Sequence, residues 1–294
     1  MELPARDHGS LTAHGFADAA ASPADIGARR IVHRTRGHRH GPITRLMSPS
    51  DLGELLKPFV FLDLIDHEGA GFEGSLHPHS GIATLTYIGE GRITYIDPDN
   101  FTGQLPAGGV EWMQAGGGMW HGGGAEAGRI RGFQLWIALP PELELGPTHS
   151  LYQAPEDVAL AGPARVLLGK HGGAGSPIAS PSPITYLAVT LRAGERWRFE
   201  PPAGQTVLWT AVAKGKVAVP AHLEQGDMAV FEHSERGVDF EALEDAEFMV
   251  GAAAPHAHDL ALGYYSVHTS ADALRAGEAR ILEIRTQLIA EGRL

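Results

Sequence analysis

Glycine and proline cut this chain into short apolar runs, and that punctuation limits its fold more than any other feature. Of 294 residues, 38 are glycine and 20 are proline. Between about residues 30 and 140 the runs PITRLM, FVFLDLI, IATLTYI, RITYID, VEWMQ and RGFQLWIAL follow one another without an intervening helical period. Apolar runs of this length bounded by turn residues read as strands. A succession of them points to an all-β sandwich or barrel. IATLTYIGEGRITYI predicts a hairpin, with Gly89, Glu90 and Gly91 at its turn.

The pattern breaks at LPPELELGPTHSLYQAPEDVALAGPA, residues 139–164, whose five prolines predict a crossing between domains. Strand-like runs then return in ARVLLG, ITYLAVTLR, QTVLWTAVAKGKVAV, DMAVFE and AEFMVGAAA. Two β-rich halves of similar size suggest a duplicated barrel. The end differs again: Leu274, Ile281, Leu282, Ile284, Leu288 and Ile289 recur at roughly helical spacing. This predicts a C-terminal amphipathic helix that covers a barrel face or another subunit. Residues 1–28, rich in Ala, Asp, Ser, Gly and Pro without a period, predict a loose N-terminal arm.

Composition removes several functions. The formal charge is 23 − 35 = −12, which on average repels a phosphate backbone, so no direct nucleic-acid binding is expected. The one basic cluster, RRIVHRTRGHRH at residues 29–40, is read as a solvated segment. There is no cysteine, hence no disulfide, thiolate metal site or cysteine nucleophile. No run approaches the ~18 apolar residues that span a bilayer. The start MELPARDHGS lacks the pattern of a secretory signal. A cytoplasmic protein without a membrane segment is expected; monomer and dimer both fit.

The stretch AGGGMWHGGG, residues 115–124, sets His121 between two glycine triplets. Glycine loses more backbone freedom on folding than any other residue, so six of them here need a reason. They either cradle an anion with backbone N–H groups or deliver an imidazole to a place too crowded for Cβ atoms. A phosphate loop would need Lys and Ser or Thr after the glycines, and neither follows. A dinucleotide fold would need a helix where the strand-like RGFQLWIAL stands. The imidazole reading is preferred.

It gains support from SLHPHSGIATLTYI. His77 and His79 are two apart, so in an extended segment both point to one face. Pro78 between them biases His77 toward that conformation. His121 lies 42 residues beyond His79, after traffic that returns a chain to the same side of a small barrel. Neutral imidazole suits iron, copper, nickel and zinc. Three protein ligands leave coordination positions open, as catalytic sites do. A second H-x-H, His256 and His258 in AAAPHAHDLALG, has no comparable third partner except His268 and is read as loop. Glu126 is read as an exposed loop acid; Glu111 in VEWMQ can face either way; Gln134 is placed on a strand lining the same barrel. Trp120 is either core or pocket wall.

The segments PFVFLDLIDHEGAGF, HPHSGIATLTYIGEG, LPAGGVEWMQAGGGMWH and GFQLWIALP resemble the pirin family of bicupins, in its order and at its separations. They cover most of residues 55–140; SPITYLAVTLRAG and GYYSVHT resemble it in outline. The resemblance implies an all-β fold of two tandem cupin-type β-barrels with a C-terminal α-helix. It implies one divalent transition metal ion per chain, iron(II) foremost, with nickel, copper, zinc and manganese as the other candidates. His77, His79 and His121 match the family's three histidine ligands. The family's glutamate ligand falls on Gly123, and Ala83 occupies the region of the glutamate that cupins place after H-x-H. Expected boundaries are 29–145 for a metal-bearing N-terminal barrel, 146–164 for a linker, 165–268 for a metal-free C-terminal barrel and 269–294 for the helix. Function is expected to be a dioxygenase-type oxidoreductase of a small aromatic or flavonol-like molecule, or a non-catalytic metal- and redox-sensing protein with a protein partner; fold alone does not choose.

Overall fold

The computed structural model describes residues 28–96 and 102–294. The expected arm at residues 1–28 therefore lies outside the described residues except for residue 28. The N-terminal half is built from β2 (His38–His40), β3 (Ile43–Met47), β4 (Phe59–Gly69), β5 (Phe72–His79), β6 (Ile82–Glu90), β7 (Arg92–Ile96), β8 (Thr102–Pro106), β9 (Val110–Gln114), β10 (Met119–Ala125), β11 (Gly128–Ala138) and β12 (His149–Gln153). They form a seven-stranded sheet, β12-β9-β6-β11-β4-β3-β2, and a four-stranded one, β5-β10-β7-β8. The C-terminal half repeats the plan with a seven-stranded and a four-stranded sheet. This is a pair of tandem cupin-type barrels followed by a C-terminal helix, Ala271–Ala290.

Alternation along the strands divides the side chains between two cores. On one face of the N-terminal seven-stranded sheet, Leu62, Leu85, Trp112, Phe133 and Leu135 pack against Tyr186, Trp209, Met228 and Met249 of the other half. Phe59 meets Trp209 edge-on, with ring centroids 5.5 Å apart. The interior of the C-terminal half is mainly apolar, with Val166, Leu187, Val189, Leu208, Phe231 and Phe248 facing Phe199, Val217 and Phe240, and with Thr185 and Thr210 as buried polar residues in step with Leu187 and Leu208. The N-terminal interior is different, because it holds ionisable side chains, among them Asp63, His79, Glu111 and His121.

Pairing corrects several expectations. The hairpin at Gly89–Gly91 does not form: β6 pairs with β9 and β11, whereas β7 pairs with β8 and β10. Gly91 turns the chain from one sheet to the other at φ 83°, and a Cβ there would lie 2.1 Å from the Arg129 carbonyl oxygen. β1 (Ile31–Thr35) pairs with Met228–Phe231 in the C-terminal sheet, across the chain from its expected barrel. The basic cluster explains the attachment: Arg30, Arg34 and Arg36 face Glu232, Asp227 and Glu224, and buried Arg29 donates to the Thr206, Glu232 and Arg236 carbonyls. The 146–164 linker likewise contains β12, bound to β9, because its HSLYQ run supplies the edge that β9 lacks.

At the other end the last strand of the C-terminal seven-stranded sheet ends at Ala253, and Ala261–Leu262 and Val267–His268 pair as a separate two-stranded ribbon. The chain then returns to the N-terminal half, where Ser80 bridges to Ser266. The following helix, capped by Ser270 accepting from the Ala273 N–H, lies on β10. Ile281 and Leu288 are buried there against Trp120, while Leu282 and Ile289 remain exposed. Two of the six apolar positions therefore serve no contact within the chain's core.

Candidate metal centre

The glycine stretch is a strand. β10 lies between β5 and β7, with His121 directly opposite His77. A register shift follows, and Gly123 pairs with Gly74 rather than the next residue in step. A Cβ on Gly123 would lie 2.4 Å from the Thr94 carbonyl oxygen; one on Gly122 would lie 3.3 Å from Leu76. Glycine in a strand interior marks close backbone approach, and here it lets β10 run pressed between its neighbours. The crowding explanation for the six glycines is the one the geometry supports at these two positions.

His77 and His79 share a face of β5 and His121 faces them from β10. Their ligand atoms lie within 4.8 Å of one another. The ring centroids are 4.5 Å apart for His77 and His121, 5.2 Å for His79 and His121, and 5.0 Å for His77 and His79. His77 Nδ1–H donates to the Ser75 carbonyl and His79 Nδ1–H to the Tyr265 carbonyl, each at 3.0 Å. A histidine that donates through one nitrogen presents a lone pair at the other, the usual orientation of a metal ligand. Nε2 of His79 and of His121 is buried without a protein partner. Burial pushes the His79 pKa down to about 3 and holds His77 and His121 below the ordinary imidazole range, with the neighbouring rings adding to the effect at His79 and His121. Three neutral, converging imidazoles, two of them with a buried Nε2 that has no protein partner, fit a divalent transition metal ion.

Across the interior, the seven-stranded sheet presents one polar row. Arg45, Asp63, Gln134, Thr86, Glu111 and Tyr152 are successive cross-strand partners on β3, β4, β11, β6, β9 and β12. Glu111 therefore faces inward. With Thr86, Gln134, His77, His121 and Gly122–Gly124 it lines a chamber of about 150 Å³, otherwise walled by Ile43, Ile65, Phe72, Ile93 and Tyr95. Its carboxyl is buried, and desolvation pushes its pKa up to about 7, with the Thr86 hydroxyl pulling the other way. Glu111 is not within the histidine cluster. The VEWMQ alternation could have found it once the partner strand was known.

A second, larger pocket of about 540 Å³ adjoins His77 and Gln134. Its walls include Phe61 stacked on Trp136 at 4.0 Å, the Arg45 guanidinium 3.9 Å above the Phe61 ring, and Tyr264 and Tyr265. Arg45 is also paired with Asp63, Nη2 to Oδ2 at 3.2 Å. The other candidates fall away. Glu126 is exposed and accepts from Gln104 Nε2 at 2.8 Å. Trp120 points away from the histidines and donates to the Ile281 carbonyl at 3.1 Å, so it packs the helix. His256 and His258 sit in a loop, with ring centroids 5.5 Å apart. His268 is not their partner; it bonds to Ser80 and Glu144. Sequence reading missed the roles of Tyr265, Ser75, Ser80 and Glu144.

Comparison with known proteins gives the family. The family model Pirin matches residues 41–137. A pirin-like protein of Caulobacter vibrioides is 33% identical over 230 residues, covering 72% of this chain and 81% of the relative. The crystal structure of a quercetin 2,3-dioxygenase from Acinetobacter baumannii superposes with TM-score 0.72 at 25% identity, covering 87% of this chain and 94% of that one. A bacterial pirin from Escherichia coli, solved in complex with nickel(II), shares the fold with TM-score 0.60 at 21% identity, over 78% and 98% of the two chains. The three-histidine cluster and these relatives support a metal-binding cupin, and the chain belongs to the pirin family.

Proposed function

We propose that this chain holds one divalent transition metal ion on His77, His79 and His121 and acts, in the cytoplasm, as a dioxygenase-type oxidoreductase on a small aromatic or flavonol-like molecule. The observation that carries the reading is the meeting of three neutral imidazoles with a chamber that contains a buried acid. Bound there, an ion such as iron(II) or nickel(II) would supply Lewis acidity and open coordination positions. The chain's own residues supply the rest. Phe61, Trp136, Tyr264 and Tyr265 give flat apolar surface against which an aromatic ring can stack. Glu111, whose pKa of about 7 suits a general base at neutral pH, is placed to take the proton of a substrate hydroxyl. Gln134 lines both pockets and can orient the same group by hydrogen bonding. Glu111 would thereby serve for the carboxylate that Gly123 does not provide.

A second reading, a metal- or redox-sensing protein without turnover, is favoured by the all-imidazole character of the cluster. One experiment separates them. Elemental analysis of protein purified without added metal gives the ion, and oxygen uptake with quercetin tests the chemistry. Oxygen consumption that Glu111→Gln abolishes while metal content stays at one ion per chain supports the enzyme. Full metal content with no oxygen uptake from any flavonol or catechol supports the sensor.

A further inference from the structure

Ser80, His268 and Glu144 form a buried chain with the connectivity of a hydrolytic triad. Ser80 Oγ lies 2.9 Å from His268 Nε2, and His268 Nδ1 lies 3.0 Å from Glu144 Oε2. Geometry of this kind is recognised by roles rather than by sequence order, so access to the serine decides what it does. Ser80 is fully buried, and the helix lies on it. A Cβ added to Gly277 would sit 2.5 Å from both Ser80 Oγ and His268 Nε2. No acyl group can reach that hydroxyl.

The three residues do lock the segment that crosses the metal face. Glu144 also accepts from the Thr269 N–H at 2.7 Å and from the Thr269 hydroxyl at 2.6 Å. Ser80 and Ser266 hydroxyls are 3.0 Å apart, and the Val267 N–H donates to the Ser80 carbonyl at 3.2 Å. Between these ties stands Tyr265, with φ 58°, the only non-glycine residue in the left-handed region among the described residues. Such a conformation is costly for a residue that carries a Cβ and persists only where the surroundings over-determine it. Here it aims the Tyr265 carbonyl at His79 Nδ1, 3.0 Å away. The same segment supplies Leu262–Ser266 to the wall of the outer pocket.

We infer that Glu144, His268, Ser80 and Ser266 are positioning residues of the metal site, which pin the returning C-terminal segment so that the Tyr265 carbonyl fixes the tautomer and ring angle of His79. The Ser-His-Glu chain thus acts through a backbone carbonyl, not through a nucleophile. Outer partners of this kind typically change metal affinity by about 10–100-fold when removed.

The test uses the full chain with Glu144→Ala and, as a milder change, Ser266→Ala. Long-range 1H–15N spectra of the metal-free protein report the tautomer of His79, and competition titration reports cobalt(II) affinity. The expected result is a parent His79 protonated on Nδ1, a mixed tautomer in both variants, and an affinity loss of about 10-fold or more. A merely structural role would lower the melting temperature and leave the His79 nitrogen shifts where they were. If Glu144→Ala does not fold, Ser266→Ala decides alone. Parent shifts together with parent cobalt(II) affinity in a folded variant would overturn the inference. The affinity arm rests on His79 being a ligand, as proposed above. A parent that binds no cobalt(II) would therefore sink that proposal, while the metal-free spectra would still decide the tautomer.

Discussion

His77 and His121 are direct cross-strand partners on β5 and β10, and their rings stand 4.5 Å apart, centroid to centroid. Replacing either of them, or His79, by alanine should lower metal content sharply, because each removes one of three converging donors. Replacing His256 or His258 should leave it at the parent value of at most one ion per chain. Mass spectrometric metal analysis of the five proteins checks this. Full occupancy in His121→Ala would remove His121 from the ligand set.

Gly123→Glu restores on paper the glutamate of the pirin pattern, but the backbone opposes it. Gly123 lies outside the left-handed region, so its constraint is the Thr94 carbonyl 2.4 Å from a would-be Cβ. Overpacking of this kind typically costs about 1–3 kcal/mol. Gly123→Ala and Gly123→Glu should therefore both melt below the parent, by similar amounts. A glutamate variant that melts with the parent and binds metal more tightly would show that β7 yields at Thr94.

Glu111 gives the metal-free protein a pH signature. Its folded pKa of about 7 exceeds the ordinary 4.5, so between those values the native state binds more protons than the unfolded one. Stability must then fall as pH rises through that window, by at most about 3 kcal/mol. The three histidines act in the opposite sense. Their depressed pKa values add a penalty that grows as pH falls below 6.5. Glu111→Gln isolates the first effect: its gain over the parent should be largest at pH 8 and vanish near pH 4. A constant difference in urea-unfolding free energy across that range would show that Glu111 is not desolvated.

Trp120→Phe should loosen the C-terminal helix without touching the ligands. The change removes the Nε1–H bond to the Ile281 carbonyl and keeps most of the apolar contact with Leu288. A loss of about 1 kcal/mol is expected. Amide exchange in Ala271–Ala290 should accelerate while cobalt(II) affinity stays unchanged. Unaltered exchange would mean that the helix is held elsewhere.

Local pattern made the strands and the shared face of His77 and His79 legible, since a period of two and the Pro78 constraint act within a few residues. The inward aim of Glu111 was not legible, because alternation offers two faces and the choice depends on partners in β6 and β12. Gly91 read as a hairpin turn because the sequence shows only that a turn occurs, not which sheet the next strand joins. Tyr265 meets His79, and Ser266 meets Ser80, across 186 residues of chain, a separation at which no spacing rule operates.

β1 leaves the N-terminal side to complete the C-terminal sheet, and residues 261–290 leave the C-terminal side to cover the N-terminal barrel. The two halves hold each other like crossed forearms. Cutting the chain near residue 160 would not yield two tidy modules. The first fragment would carry an orphan strand and expose His79 to water, and the second would have a bare sheet edge at Met228–Phe231. Mixed together, the fragments should bind metal more tightly than the first fragment does alone, which makes this scaffold a natural candidate for a split reporter whose signal is the tightened histidine site.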